Sequence, residues 1–236
     1  MRVFAGPNGS GKTTIIKGLQ PEIPFGIYIN ADDIEQSLYK TGGLIFDPYQ
    51  LTVDENKFRD FFRLSSFSPI KRNENDLWQK ISVQGNTLRI STAADSYLAA
   101  DIAEFLRQQM LENNLSFTYE TVMSHKSKMD FMQKAIESGY RVYLYFIATE
   151  DPEINLNRVN VRVAQNGHSV APEIIKSRYF RSLENLKTAV KKTNRAYIFD
   201  NSGSAALLIA EITNGVDVSV FDTAKIPSWV AKYLLQ

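Results

Sequence analysis

Gly6-Pro7-Asn8-Gly9-Ser10-Gly11-Lys12-Thr13 satisfies every specified position of G-x-x-x-x-G-K-[ST] and follows the short apolar run Val3-Phe4-Ala5. Glycines at this spacing let successive backbone N–H groups turn inward on an anion. Lys12 adds a mobile positive charge and the Thr13 hydroxyl offers a magnesium ligand. A helix is expected over about 12–19, with Ile15, Ile16 and Leu19 as its apolar residues, and its positive dipole end adds to the same anion site. A chance glycine-rich turn would not need a strand before it and an amphipathic helix after it. Residues Gly6 through Thr14 are therefore expected to bind the phosphates of a nucleoside triphosphate, ATP, with Mg²⁺.

A phosphate donor needs a base and cations near its acceptor. The run Phe25 to Ile29 reads as a buried strand that delivers Asn30-Ala31-Asp32-Asp33 at its carboxyl end, where ligands collect in open α/β sheets. An unpaired carboxylate there can take a hydroxyl proton, so Asp32 is the candidate base. The competing reading makes Asp32 or Asp33 a helix N-cap. Ser116 to Glu120 reads as a second strand ending in a carboxylate, and Glu120 is the best candidate for orienting Mg²⁺ or a substrate hydroxyl. Arg158 and Arg162 lie four apart, on one helix face, and Arg178 and Arg181 lie three apart on the next. Such cations can stabilise the charge that spreads over a transferring phosphoryl group. Some of them could instead pair with Glu153, Glu173 or Glu184.

The elements that must hold these residues alternate. Asp95 and the residues just before it signal the start of a helix carrying Leu98, Ile102, Phe105, Leu106 and Met110, which should stop near Asn113-Asn114. Met129 to Ser138 reads as a helix closed by Gly139, and Arg141 to Ala148 has the nearly continuous apolar character of a central parallel strand. Helices open at Asp151-Pro152 and Pro172, strands follow near 196–199, 205–209 and 216–221, and a last helix begins at Pro227. This order predicts a three-layer α/β fold with a mainly parallel sheet.

From about Leu44 to Ile90 the alternation breaks. This stretch carries paired aromatics and a hairpin signal in which Ile81-Ser82-Val83 and Leu88-Arg89-Ile90 flank Gly85-Asn86, and it reads as an inserted small sub-domain in one main domain of 1–236. Its Phe61, Phe62 and Trp78 are expected to form its own core. Its Lys71-Arg72 and Asp54-Glu55 are expected to face water.

Composition narrows the function. The chain has 236 residues, 44% hydrophobic and 22% charged, with a net charge of +1, so no global field favours a nucleic acid and a small phosphorylated substrate fits better. It has no cysteine and two histidines, which excludes disulfides and thiolate metal sites. The first strand starts almost at Met1 and no apolar run reaches membrane-spanning length, so a cytoplasmic protein without a membrane role is expected.

AGPNGSGKTT, INADDI, YET and the RVxxRV…GH…RY…SLENL run resemble, in identity and spacing, the zeta toxin kinases, over most of residues 2 to 221. The resemblance implies a P-loop kinase fold and transfer of the ATP γ-phosphate to a sugar hydroxyl, as in UDP-N-acetylglucosamine. It places Asp32 as base, Glu120 in the substrate and metal region, Arg158 and Arg162 over the transferred group, and His168 of the Gly167-His168 turn as a substrate contact. Where relatives carry Thr two residues after the matching Glu, this chain has Val122, which leaves Thr121 as the nearby hydroxyl. An antitoxin-like protein inhibitor is a possible partner under the same resemblance. Two other functions fit the core: a nucleic-acid-end kinase, which would need a basic groove, and a nucleotide-gated binding module with slow ATPase activity.

Overall fold

Strand and helix signals resolve into ten strands and ten α-helices among the residues described by the computed structural model, 1–65, 67–164 and 171–236. The first half runs β1 (Arg2–Ala5), α1 (Lys12–Leu19), β2 (Ile27–Ile29), α2 (Ala31–Thr41), β3 (Gly43–Ile45), α3 (Glu55–Leu64) and α4 (Phe67–Arg72). Then come β4 (Ile81–Gln84), β5 (Thr87–Ile90), α5 (Ser96–Glu112), β6 (Phe117–Thr121), α6 (Ser127–Glu137) and β7 (Tyr143–Ala148). The rest is α7 (Pro152–Ala164), α8 (Pro172–Glu184), α9 (Leu186–Val190), β8 (Arg195–Asp200), β9 (Leu207–Thr213) and β10 (Asp217–Val220). A short helix, Ser228–Val230, widens into a last turn at Ala231–Leu235.

Hydrogen bonding orders seven strands β10-β9-β8-β7-β1-β6-β2, and the mainly parallel α/β fold expected from the sequence is what forms. Strand β7 lies fourth of the seven, and every residue from Leu144 to Ala148 is buried, as a strand covered on both faces requires. It pairs in parallel with β1 (Phe4 opposite Tyr145) and with β8 (Tyr145 opposite Tyr197). Those three rings stack across the strands at 4.5 and 5.0 Å between centroids. Beyond β8 the sheet turns antiparallel through β9 and β10, whose hairpin uses Asn214 and Gly215 at positive φ. Strand β9 starts two residues later than expected, at Leu207.

The chain divides into two compact units, Met1–Phe25 with Tyr119–Gln236, and Gly26–Thr118. The 44–90 stretch lies wholly within the second. There β3, β5 and β4 form a three-stranded antiparallel sheet, and the expected hairpin turns at Gly85 and Asn86, both at positive φ. Asn86 also ties the turn to the chain beside it, donating to Leu51 O at 2.8 Å and accepting from Val53 N at 3.0 Å. The aromatic core is wider than the sequence suggested. Phe58 and Phe62 are buried, and Phe58 and Phe61 meet Phe105 of α5, which lies outside the stretch. Trp78 is half-buried beneath Arg63.

Arg72 corrects the expectation of a solvated charge pair. Its side chain is 7% exposed and donates to Glu74 (2.8 Å), Asp95 (2.5 Å), Thr92 (2.8 Å) and Ala93 O (2.9 Å). A buried guanidinium persists only with such a full set of acceptors. Asp54 is exposed, as expected, and caps α3 by accepting from Lys57 N. The hydrogen bond from Lys80, followed by those from Arg72 and Thr92, holds the Glu74 carboxyl down at about 2 from an ordinary 4.5. A depressed carboxylate contributes stability that is complete above its unfolded value and is lost as pH falls from 4.5 toward 2. Glu74→Gln should therefore flatten the acid limb of the unfolding profile of this unit, read by circular dichroism across that window; an unchanged slope would show that the network does not couple to folding.

Candidate active site

The phosphate loop joins β1 to α1, and three of its glycines stand where no other residue fits. Gly6, Gly9 and Gly11 have φ of +140°, +76° and +93°. A Cβ on Gly6 would lie 1.9 Å from Ile147 O of β7, one on Gly9 would lie 2.4 Å from Asn155 O of α7, and one on Gly11 would lie 2.1 Å from Asn201 Nδ2. The loop is thus wedged among β7, α7 and the turn after β8. Four of its carbonyls accept side-chain hydrogen bonds. Lys12 Nζ donates to Gly6 O (2.9 Å) and Pro7 O (3.0 Å), Asn155 Nδ2 to Asn8 O (2.7 Å), and Asn201 Nδ2 to Ser10 O (2.8 Å). Ser10 N donates to Pro7 O and Thr14 N to Gly11 O, so the loop coils on its own carbonyls, and the N-terminus of α1 that follows it has the dipole sense that favours an anion. Asn8 Oδ1 and Ser10 Oγ are buried without a hydrogen-bond partner among the described residues.

Both asparagines are themselves held. Asn155 is fully buried and its Oδ1 accepts from the Thr149 hydroxyl, while Thr149 O accepts from the Tyr179 hydroxyl at 2.6 Å. Burial, then Glu150 and Asp151, push the Tyr179 phenol far above its ordinary range, so it remains a donor at any physiological pH. Arg158 Nη1 donates to Asn201 O at 2.8 Å and Nη2 to Gly203 O at 3.4 Å. Asp200 fixes the base of the same turn by accepting from Ser202 and from Trp229 Nε1.

Gly9→Ala meets both a positive φ and a helix carbonyl that cannot swing aside, a strain of about 1–3 kcal/mol before any backbone shift. It should lose ATP binding in a titration while the unliganded chain still melts cooperatively. Binding equal to the parent would mean that the loop is not the nucleotide site.

The other expected site residues are placed as follows. Thr13 and Thr14 are exposed on the first turn of α1, Glu120 is half-buried near the end of β6, and Arg162 is exposed one turn beyond Arg158 on α7. Thr121 O accepts from Gly6 N at 3.2 Å and its hydroxyl accepts from Met123 N at 3.0 Å, so Thr121 braces the start of the phosphate loop. Glu153 pairs with Lys176 at 2.5 Å, and Arg181 donates to Ser177 O. His168 and Gly167 lie outside the described residues. In the Gly26–Thr118 unit, the cap of α2 is Asn30, whose side chain accepts from Asp32 N at 2.8 Å; neither aspartate caps the helix. Asp32 and Asp33 are exposed in the first turn that follows β2. Partial burial, then the neighbouring Asp32, raise the Asp33 carboxyl above its ordinary value. Sequence reasoning missed Asn155 and Asn201. The one available signal was an Asn at a buried position of α7, among Ile154, Leu156 and Val159.

No helix among the described residues is long and apolar enough to cross a membrane. No group of three or more acidic or histidine side chains among them could hold a metal ion. Magnesium carried by triphosphate keeps several waters and needs one or two protein ligands, which the Thr13 hydroxyl on the loop fits.

An uncharacterised protein of Haemophilus influenzae is 36% identical over 69 residues, 29% of this chain and 49% of that one. The crystal structure of the AvrRxo1-ORF1:AvrRxo1-ORF2 complex with sulphate ions matches with a TM-score of 0.58 at 13% identity, over 94% of this chain and 61% of that one. Its counterpart with ATP has a TM-score of 0.55, and a structure from the PezAT toxin–antitoxin system of Streptococcus pneumoniae has 0.54 at 14% identity, over 100% of this chain and 78% of that one. The chain thus spans about half of the Haemophilus relative and three fifths of the AvrRxo1 chains. These structures share its fold. The zeta toxin family model matches residues 90–213, which excludes the phosphate loop and Asp32 but covers Glu120, both α7 arginines and the Asn155 and Asn201 supports, more than half the chain. On that match the chain belongs to the zeta toxin family.

Proposed function

We propose that the chain is an ATP- and magnesium-dependent kinase that phosphorylates a sugar hydroxyl, with UDP-N-acetylglucosamine as the acceptor to test first. The observation that carries this reading is the phosphate loop itself, with four carbonyls bonded away by Lys12, Asn155 and Asn201 and a helix N-terminus behind it. Membership of the zeta toxin family supports phosphoryl transfer, and a neighbour of the same fold has been solved with ATP.

In this reading the loop amides and Lys12 hold the triphosphate. Bound magnesium, held through Thr13 with Glu120 nearby, would neutralise phosphate charge. Asp32 accepts the acceptor's hydroxyl proton as its oxygen attacks the γ-phosphorus; the new O–P bond forms, the bond to the bridging oxygen breaks, and ADP leaves. Arg158 and Arg162 balance charge on the transferred group, and Thr121 and His168 contact the acceptor. The Arg72 network weakens the nucleic-acid-end reading, since one of the two basic residues that could have lined a groove is spent on Glu74 and Asp95. Because the AvrRxo1 and PezAT structures come from two-component systems, an antitoxin-like inhibitor belongs to the proposal. Incubation with ATP and UDP-N-acetylglucosamine, followed by mass spectrometry, should show a singly phosphorylated sugar nucleotide; an unmodified sugar nucleotide alongside consumed ATP would remove this acceptor.

A further inference from the structure

We infer that Asn155 and Asn201 are positioning residues that aim the phosphate-binding amides of the loop, an inference that rests on the nucleotide site proposed above. A trans peptide is planar, and its C=O and N–H point in opposite directions. Asn8 O shares its plane with Gly9 N–H, and Ser10 O shares its plane with Gly11 N–H. The bond from Asn155 Nδ2 to Asn8 O therefore sets the direction of Gly9 N–H, and the bond from Asn201 Nδ2 to Ser10 O sets that of Gly11 N–H. The two carboxamides grip alternate peptide planes from two different elements, α7 and the turn after β8.

The same pair explains why the loop is glycine at 9 and 11. A Cβ at either position would strike the residue that holds the adjacent plane, at 2.4 Å from Asn155 O and 2.1 Å from Asn201 Nδ2. The Asn155 carboxamide cannot rotate freely, because its Oδ1 accepts from Thr149, which fixes its Nδ2 on the loop. Arg158 donates to the backbone carbonyl of Asn201 and so anchors the main chain from which the Asn201 side chain reaches the loop.

The test compares the parent chain, Asn201→Ala and Asn155→Ala for binding of ATP and of inorganic tripolyphosphate by calorimetry, with thermal melts of the unliganded proteins. Loss of one buried hydrogen bond that aims a phosphate contact should weaken ATP binding by about tenfold or more, and tripolyphosphate by the same factor. The unliganded melt of Asn201→Ala, at a half-buried turn, should stay near the parent. Gly11→Ala, which displaces Asn201 Nδ2, should reproduce the Asn201→Ala profile. Should Asn155→Ala fail to fold, the Asn201→Ala and Gly11→Ala pair decides the matter. Parent-like affinity for both ligands in folded variants overturns the inference and leaves the kinase reading intact. A parent chain that binds neither ligand overturns both.

Discussion

Lys12→Ala is expected to bring phosphoryl transfer below detection and to weaken ATP binding. Lys12 is the only formal positive charge in the loop, and its Nζ already sits at the loop, 2.9 Å from Gly6 O and 3.0 Å from Pro7 O. Exchange of those carbonyls for phosphate oxygens needs a swing of one flexible side chain, with no backbone movement. Its removal takes away charge stabilisation where the transition state is most anionic, an effect on the order of 10²- to 10³-fold or more in turnover. It also strips Gly6 O and Pro7 O of their donor, so the variant should lose affinity as well as rate. Unchanged turnover at saturating ATP would contradict the assignment of the site.

Asp32→Asn should separate binding from chemistry. The side chain lies in the first turn of α2, exposed, with its backbone N–H already given to the Asn30 cap. Asparagine keeps the shape and leaves that cap untouched, so the fold of the Gly26–Thr118 unit should survive. Only the proton acceptor is lost. The transfer rate should fall by roughly 10²- to 10⁴-fold, the usual contribution of a positioned base, while the ATP dissociation constant stays near the parent value. An equal loss of ATP affinity would make Asp32 a metal or structural residue. Full activity would pass the role to Asp33, whose carboxyl is already pushed upward by burial and by Asp32.

How much of this was legible without coordinates depended on the range of the interaction that decided it. The β7 strand, α5 with its apolar face, and the Gly85-Asn86 hairpin were all readable, because hydrophobic period and turn chemistry act over a few residues. The glycine-rich turn between β1 and α1 was readable for the same reason. Its supports were not: the bonds from Asn155 to Asn8 and from Asn201 to Ser10 join residues 147 and 191 apart in the chain. Arg72 was misjudged on similar grounds, since charge beside charge normally faces water, and its partners Thr92, Ala93 and Asp95 come from 20 to 23 residues away. The helix α2 cap shows a finer failure. Asn and Asp are both good caps, and the chain placed Asn30 there, which leaves both aspartates on the first turn with their carboxylates outside the capping bond.

The most direct test of the kinase reading is transfer of labelled γ-phosphate from ATP to a panel of UDP-sugars, nucleosides and oligonucleotide ends, run with the parent chain, Lys12→Ala and Asp32→Asn. The account predicts label on a sugar nucleotide with the parent chain, none with Lys12→Ala, and a slow trace with Asp32→Asn. Free labelled phosphate with no labelled acceptor would contradict it in favour of a nucleotide-gated binding module, and label on an oligonucleotide end would contradict the choice of acceptor.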